Sequence, residues 1–420
     1  MKQARDLIKQ YLAENPVAMR CIRQHHPRLP GRANSNDRNA VTDEDIRKAK
    51  VVVADAQSVV ARWHGFDSWP KLAQHVRALT RKDSHVLKFE LAVEAIITGD
   101  VAALKSLLSE APELIRARST REHQATLLHY VSANGVEAYR QKTPKNAVKV
   151  AELLLKAGAE VDADLDYGAA GRRRYPERSG STTLGLVATS VHPAVAGVQI
   201  ALLEILLDAG ADVNGVAGGW NPLIAALHNG RGDAAEFLAR RGARLDLEGA
   251  AGTGRLAVVK GFFKKDGNLR ASATRGQLEL GFTWACEYGR SSVVAFLLRK
   301  GMEVDAQPHG ETGLHWAAYG GHSDIVKLLL KGKAPVDIKD KRYCATPLGW
   351  GLHGWCYPPP EAKRARYYDV IALLVAAGAK AHLDGNLNRA QIEKLRGDSH
   401  MLALLGSGRR PFVPGSLTQR

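Results

Sequence analysis

At 420 residues the chain is longer than one compact core fills, so it holds two or three domains or a repeat array, which has no such limit. A hydrophobic fraction of 45% beside 24% charged residues excludes a disordered chain, and no stretch reaches the roughly 18 uncharged apolar residues of a membrane span. The net charge of +16 points to a polyanionic partner, either nucleic acid, DNA before RNA, or an acidic protein, because neutralised phosphates release condensed counterions.

The excess sits at the ends. Residues 1–85 carry 16 Lys/Arg against 9 Asp/Glu, and residues 311–420 carry 16 against 9. The start, MKQARDLIKQYLAENP, has no apolar run of signal-peptide length, so a cytoplasmic location without membrane attachment is expected. Cys21, Cys286, Cys344 and Cys356 form no CxxC pair, which predicts reduced thiols, no zinc site and no cofactor.

In chain order, residues 1–85 read as a basic helical extension. Thr42 followed by Asp43, Glu44 and Asp45 is a helix start, with acidic side chains against the positive helix end. VVVADAQSVVARW then has the periodicity of a helix with one apolar face. In HGFDSWPKLAQHVRAL, Ser68 and Pro70 open another helix, with Phe66 and Trp69 as packing anchors. The stretch CIRQHHPRLPGRANSNDR reads as a basic irregular connector, and its His25 and His26 as loop residues.

Beyond residue 85 one pattern recurs, most regularly in ETGLHWAAYGGHSDIVKLLLKGKAPVDIKD, residues 311–340. Thr312 is placed to cap a first helix, Ala317 and Ala318 let helices approach closely, and Gly321 permits the positive φ that ends it. Ile325, Leu328 and Leu329 bury one face of a second helix, which no unit can cover alone, so the units must stack. Further copies pair LLHYVSANG with LLLKAGAEVDA, TLGLVATS with ILLDAGADVNG, PLIAALHNG with FLARRGARLDL, LEGAAGTGR with GFFKKDGN, GFTWACEYG with FLLRKGMEVDA, and TPLGWGLHG with LLVAAGAKAHL. A weak copy, AVEAIITGDVAALKSLL, precedes them, and LNRAQIEKLRGDSHMLALL reads as a polar terminal cap.

The pattern TxLHxAAxxGHxxIVxLLLxxxAxVxxxD resembles the ankyrin repeat, and HGFDSWPKL resembles a segment found in bacterial ankyrin proteins. The resemblance implies a mostly α fold in which each unit is a helix, a tight turn, a second antiparallel helix and a hairpin loop. The expected architecture is an ankyrin-repeat solenoid of about eight helix-turn-helix units over residues 86–406, behind the N-terminal extension and ahead of a basic tail, 407–420. A monomer is expected. In this family the histidine after the capping threonine, here His129 and His315, bonds neighbouring backbone.

Several units depart from the regular spacing. Leu314 to Leu328 spans 14 positions, as do Leu223 to Phe237 and Phe282 to Phe296, but Leu128 to Leu153 and Leu348 to Leu373 span 25 and Leu184 to Ile205 spans 21. The additions, at 136–146, 191–197 and 355–368, fall in the turn between the two helices, and a fourth, 163–181, falls in a hairpin finger. Equivalent places in stacked units fall along one edge, so these loops are expected to form a functional wall beside a concave groove.

Groove-facing positions before the turn glycines include Asn134, His228, Tyr288, Tyr319 and His353, and a second column holds Tyr130, Trp284, Trp316 and Trp350, whose rings suit stacking on exposed bases. Basic candidates on the insertions are Arg172, Arg173, Arg174, Arg178, Lys363, Arg364 and Arg366. There is no nucleophile elbow, Walker loop, dinucleotide fingerprint or HExxH motif, which argues against the common enzyme classes. If there is catalysis, Glu287 between Trp284 and Tyr288 is the first choice of general base, with Asp166 second and Glu137, His129, His315 and His353 weaker. Three functions stay open: a scaffold binding nucleic acid or an acidic partner in a basic-rimmed groove, a protein–protein scaffold, and, by fold analogy alone, a base-excision DNA glycosylase.

Overall fold

In a computed structural model of the chain, the residues described are 2–27, 29, 41–166, 181–216, 219–359, 366–380 and 388–406. They form helices and turns. Among them β pairing is limited to isolated bridges, Arg118 with Thr126, Asp164 with Thr182 and Phe263 with Leu269, each at the base of a finger. The chain divides into two units, residues 1–234 and 235–420.

The first unit opens with the helices Lys2–Leu12, Pro16–His25, Asp43–Lys48, Val53–Trp63 and Trp69–Leu79. Ala4, Leu7, Ala18, Met19, Ile22, Ile46, Ala56, Val59, Val60, Phe66 and Leu72 close a small core of their own, against which Trp69 packs. The TDED start is a capping box: Thr42 Oγ1 accepts from the Asp45 amide at 3.1 Å, and Asp45 Oδ2 accepts from the Thr42 amide at 2.8 Å. Repeats follow, with first-helix places at His85–Thr98, Leu127–Ser132, Thr183–Thr189 and Pro222–His228, and second-helix places at Val101–Glu110, Ala147–Lys156 and Gln199–Asp208. Leu127–Ser132 is a 3₁₀ turn, ended by Ala133 at φ +48°.

In the second unit, first helices stack on first helices in the order Leu247–Gly252, Arg275–Glu287, Gly313–Tyr319, Pro347–Cys356. Second helices stack likewise in the order Leu256–Gly261, Ser291–Arg299, Ser323–Lys331, Arg366–Ala376. Arg389–Arg396 and Ser399–Gly406 close the stack, packing on the last first helix and the last second helix respectively. The seam between the layers is apolar: Leu314, Ala317, Ala318, Ile325, Val326 and Leu329 are inaccessible, and each buried leucine or isoleucine contributes about 1.5–3 kcal/mol of transfer free energy. Thr312 Oγ1 accepts from the His315 amide, and Gly321 has φ +72°. The fold is that of stacked ankyrin repeats.

The additions differ from one another. Residues 136–146 hold a 3₁₀ turn, Ala138–Arg140, from which Arg140 turns inward to Glu90 while Tyr139 stays exposed. Residues 191–197 form a short helix, Val191–Val195, that exposes both valines. In 355–368, Trp355 and Cys356 extend the last first helix into the core. Arg172, Arg173, Arg174, Arg178, Lys363 and Arg364, with most of the 163–181 finger and the 407–420 tail, lie outside the described residues. Arg366 opens its helix and is exposed.

Candidate functional site

The first-helix layer of the second unit gathers aromatic rings. Trp284, Trp316 and Trp350 occupy one position of three successive units, so stacking of the units brings the rings together. Their centroids lie 6.1 Å apart for Trp284 and Trp316, and 4.9 Å apart for Trp316 and Trp350. Tyr319 sits 6.1 Å from Trp316 and 6.0 Å from Trp350, and stacks on His353 at 6.2 Å. Tyr288, His309, Tyr343 and Tyr357 extend the group at its margins.

Exposure grades these rings from floor to rim. Trp284 is 4% exposed, Trp316, Trp350, Tyr319 and Tyr288 are half-buried, and His353, His309, Tyr343 and Tyr357 are exposed. The ring planes of Trp316, Trp350 and Tyr319 meet at 73° to 84°, the edge-to-face arrangement in which a positive ring edge meets a negative face. The rings therefore make one continuous surface and not a ladder of parallel platforms. Trp284 is its floor, so the expectation that Trp284 stacks on a partner does not match its burial.

Carboxylates underlie this surface. Trp284 Nε1 donates to Glu248 Oε1 at 2.8 Å, and Trp350 Nε1 donates to Asp340 Oδ2 at 3.1 Å. Asp340 also accepts from the amides of Arg342, Tyr343 and Ala345; burial opposes its charge, but these donors hold its carboxyl below the usual range. Burial, reinforced by Asp340, pushes the Glu311 carboxyl up. Glu287 ends its helix, largely buried near Trp284 and Tyr288, and its carbonyl accepts from His322 Nε2 at 2.7 Å.

The other sequence candidates scatter. Asp166 and His228 are half-buried in the first unit, His228 with its ring against Trp220. Asn134 Nδ2 donates to Thr189 Oγ1 at 2.9 Å, bracing the next repeat. His315 Nε2 lies 3.2 Å from the carbonyl of Ala345 in the following unit, and burial takes its imidazole down to about 4. His129 is likewise tied to Thr126, with burial taking it down to about 3. Tyr130 is wholly buried, and burial pushes its hydroxyl far up, so it faces no partner. It occupies the same repeat position as the tryptophans, but Phe89, His123 and the addition at 136–146 enclose it.

That enclosure is a polar network that sequence reasoning missed apart from Glu137. Arg121 forks onto Glu90, with Nη1 at 2.5 Å from Oε1 and Nη2 at 3.1 Å from Oε2, and its Nε pairs with Glu137. Arg140 Nη2 lies 2.5 Å from Glu90 Oε2, and His123 Nε2 lies 3.6 Å from Glu137 Oε1. His75 joins with Nδ1 at 2.8 Å from Thr120 Oγ1. Two arginines thus balance two glutamates, nearly all of them out of water. Burial pushes the Glu137 carboxyl up, but His123, Arg121 and Arg140 outweigh it and hold it down to about 2. Burial and then Arg121 push His64 and His75 down. The network joins the helix Trp69–Leu79 to the first repeats, which is a structural role and not a wall. No local pattern marks it, because Glu90 pairs with Arg121, 31 positions away, and with Arg140, 50 positions away.

The match to a protein family agrees with the fold of the second unit. The profile of ankyrin repeats (three copies) matches residues 247–342, which include Trp284 and Trp316. The chain matches no curated protein. Among solved structures it is similar to the human ASB11 ankyrin repeat domain at 19% identity and a TM-score of 0.34, over 68% of this chain and 96% of that one. Residues 247–342, the heart of the aromatic layer, are ankyrin repeats.

Proposed function

We propose that the chain is a recognition scaffold that binds a partner protein on the aromatic first-helix layer of residues 235–420. The observation that carries this reading is the continuous surface of Trp316, Trp350 and Tyr319, floored by Trp284 and rimmed by His353. Half-buried tryptophan and tyrosine are the residue types that dominate interface hot spots, since they are rigid, large and already partly desolvated. Stacked ankyrin repeats are interaction scaffolds, and such a patch supplies an anchor. Base stacking along a strand needs a ladder of parallel ring faces, whereas neighbouring planes here meet at 73° to 84°.

The test is to pan a random peptide library on the full chain, with Trp350→Ala and, separately, His353→Ala with Tyr357→Ala as controls checked for folding by circular dichroism. Peptides that bind the parent chain and lose affinity on these variants are expected. Selection of peptides indifferent to all of them would remove the reading.

A second reading, nucleic acid or an acidic protein held by the basic ends, is favoured by the net charge of +16. Affinity for single-stranded and duplex DNA should then fall steeply with salt, and a flat response removes it. A glycosylase would act through Glu287, so release of damaged bases that survives Glu287→Gln would reject that residue.

A further inference from the structure

The aromatic layer is acidic in a chain that is basic overall. Glu248, Glu287, Glu311 and Asp340, each at most 9% exposed, come from three successive units, of which the second and third carry Trp284 and Trp316. Two of them accept the indole N–H of Trp284 and Trp350, and an indole that donates to a carboxylate becomes more electron-rich over its face. Electron-rich indole faces attract cations, and buried carboxylates act through a low dielectric.

One guanidinium already uses this rim: Arg342 lies 5.0 Å over the ring of Tyr343, which itself sits 6.1 Å from Trp350. Glu311 is pushed up by burial and by Asp340 and pulled down by Arg342, so a second cation at this edge relieves a repulsion that is already present. Arginine fits better than lysine, because its plane lies flat on ring faces and sheds water more readily.

We propose that the partner places an arginine side chain on the rings of Trp316, Trp350 and Tyr319, with Glu248, Glu287, Glu311 and Asp340 supplying the complementary charge. This rests on the protein-binding reading of the same surface. Nothing in it depends on the basic ends of the chain, which repel a cationic peptide and so restrict binding to this face.

The experiment uses the peptides selected above. Those dependent on Trp350 should share an arginine, and replacing it with citrulline, which keeps the shape and loses the charge, should weaken binding roughly tenfold. Glu248→Gln, which retains an acceptor for Trp284 Nε1, should weaken the same peptides roughly threefold or more. Trp350-dependent peptides that lack arginine, or that tolerate citrulline, overturn the inference and leave the protein-binding reading standing. Peptides indifferent to Trp350, His353 and Tyr357 overturn both.

Discussion

Removing Arg121 tests whether the buried network holds the N-terminal helices to the first repeats. In Arg121→Met, Glu90 loses both prongs of the fork but keeps Arg140 at 2.5 Å, whereas Glu137 is left with His123 at 3.6 Å and Arg140 at 3.9 Å. The His64 carbonyl also loses its donor, Arg121 Nε at 3.1 Å. Breaking a buried pair from one side costs about 3–5 kcal/mol, because the abandoned charge stays desolvated. Hydrogen exchange followed by mass spectrometry should show that loss as faster exchange in peptides covering 69–98 and 117–140, with 313–331 unchanged. Arg275→Met, which breaks the half-exposed pair with Glu279, should cost under about 0.5 kcal/mol. Arg121→Met with Glu137→Leu should lose less than Arg121→Met alone, since the charge left unpaired is removed with its partner. An Arg121→Met effect no larger than that of Arg275→Met, or a double variant equal to the sum of the singles, would refute the reasoning.

Acid should destabilise the repeats through their histidines. Burial holds His129 down to about 3 and His315 down to about 4, while an unfolded imidazole takes its proton near 6.5. The unfolded chain therefore binds more protons below about pH 6.5, and the stability present above that value drains as pH falls towards 4 and then 3, by about 1.4 kcal/mol per pH unit for each histidine. Denaturation midpoints against pH should show a shallower slope in His315→Gln; an unchanged slope rejects the assignment. Gly354→Ala should cost about 3 kcal/mol, because a Cβ there meets the Tyr319 carbonyl and lies 2.8 Å from the Tyr367 ring, whereas Gly378→Ala, at φ +94° in open space, should cost about 1 kcal/mol by urea titration. A thiol reagent should modify exposed Cys344 quickly and leave buried Cys286 unmodified until the chain unfolds, since burial pushes the Cys286 thiol far up; equal rates would contradict the packing.

What was legible in the sequence is what depends on local pattern. Thr312, Gly321 and the leucines after residue 325 specify a capped helix, a turn and a buried face within one unit, so the fold follows from any good copy. The clustering of Trp316 with Trp350 was legible too, because stacking carries one repeat position onto the next. Exposure was not legible. Trp284 and Tyr130 share that position with Trp316 and Trp350, yet Trp284 lies at the floor and Tyr130 is sealed in. The difference comes from side chains distant in sequence: Glu248 below Trp284, and Glu137 and Arg140 over Tyr130. Of the four carboxylates the sequence singles out Glu287 alone, beside Trp284 and Tyr288; Glu248, Glu311 and Asp340 are marked by nothing local, since only the stack reveals that they share a layer with the rings.

The additions explain why charge counted along the chain misleads about the site. In residues 136–146 the charges of Glu137 and Arg140 cancel against Arg121 and Glu90, so only the exposed Lys142 and Lys145 of that loop offer a partner any field. Residues 191–197 add no Asp, Glu, Lys or Arg and expose two valines. The acidic aromatic layer lies instead on the first helices of the regular units around residues 275–340 and on Pro347–Cys356, the helix that the last addition follows. A net charge of +16 is thus a property of the whole surface that governs how partners approach, whereas a buried carboxylate behind an indole acts only on what touches the ring. High salt should therefore weaken a polyanion at the basic ends steeply and an arginine on Trp350 only slightly. A peptide whose Trp350-dependent affinity falls with salt as steeply as DNA binding does would place the attraction on the surface and not in the layer.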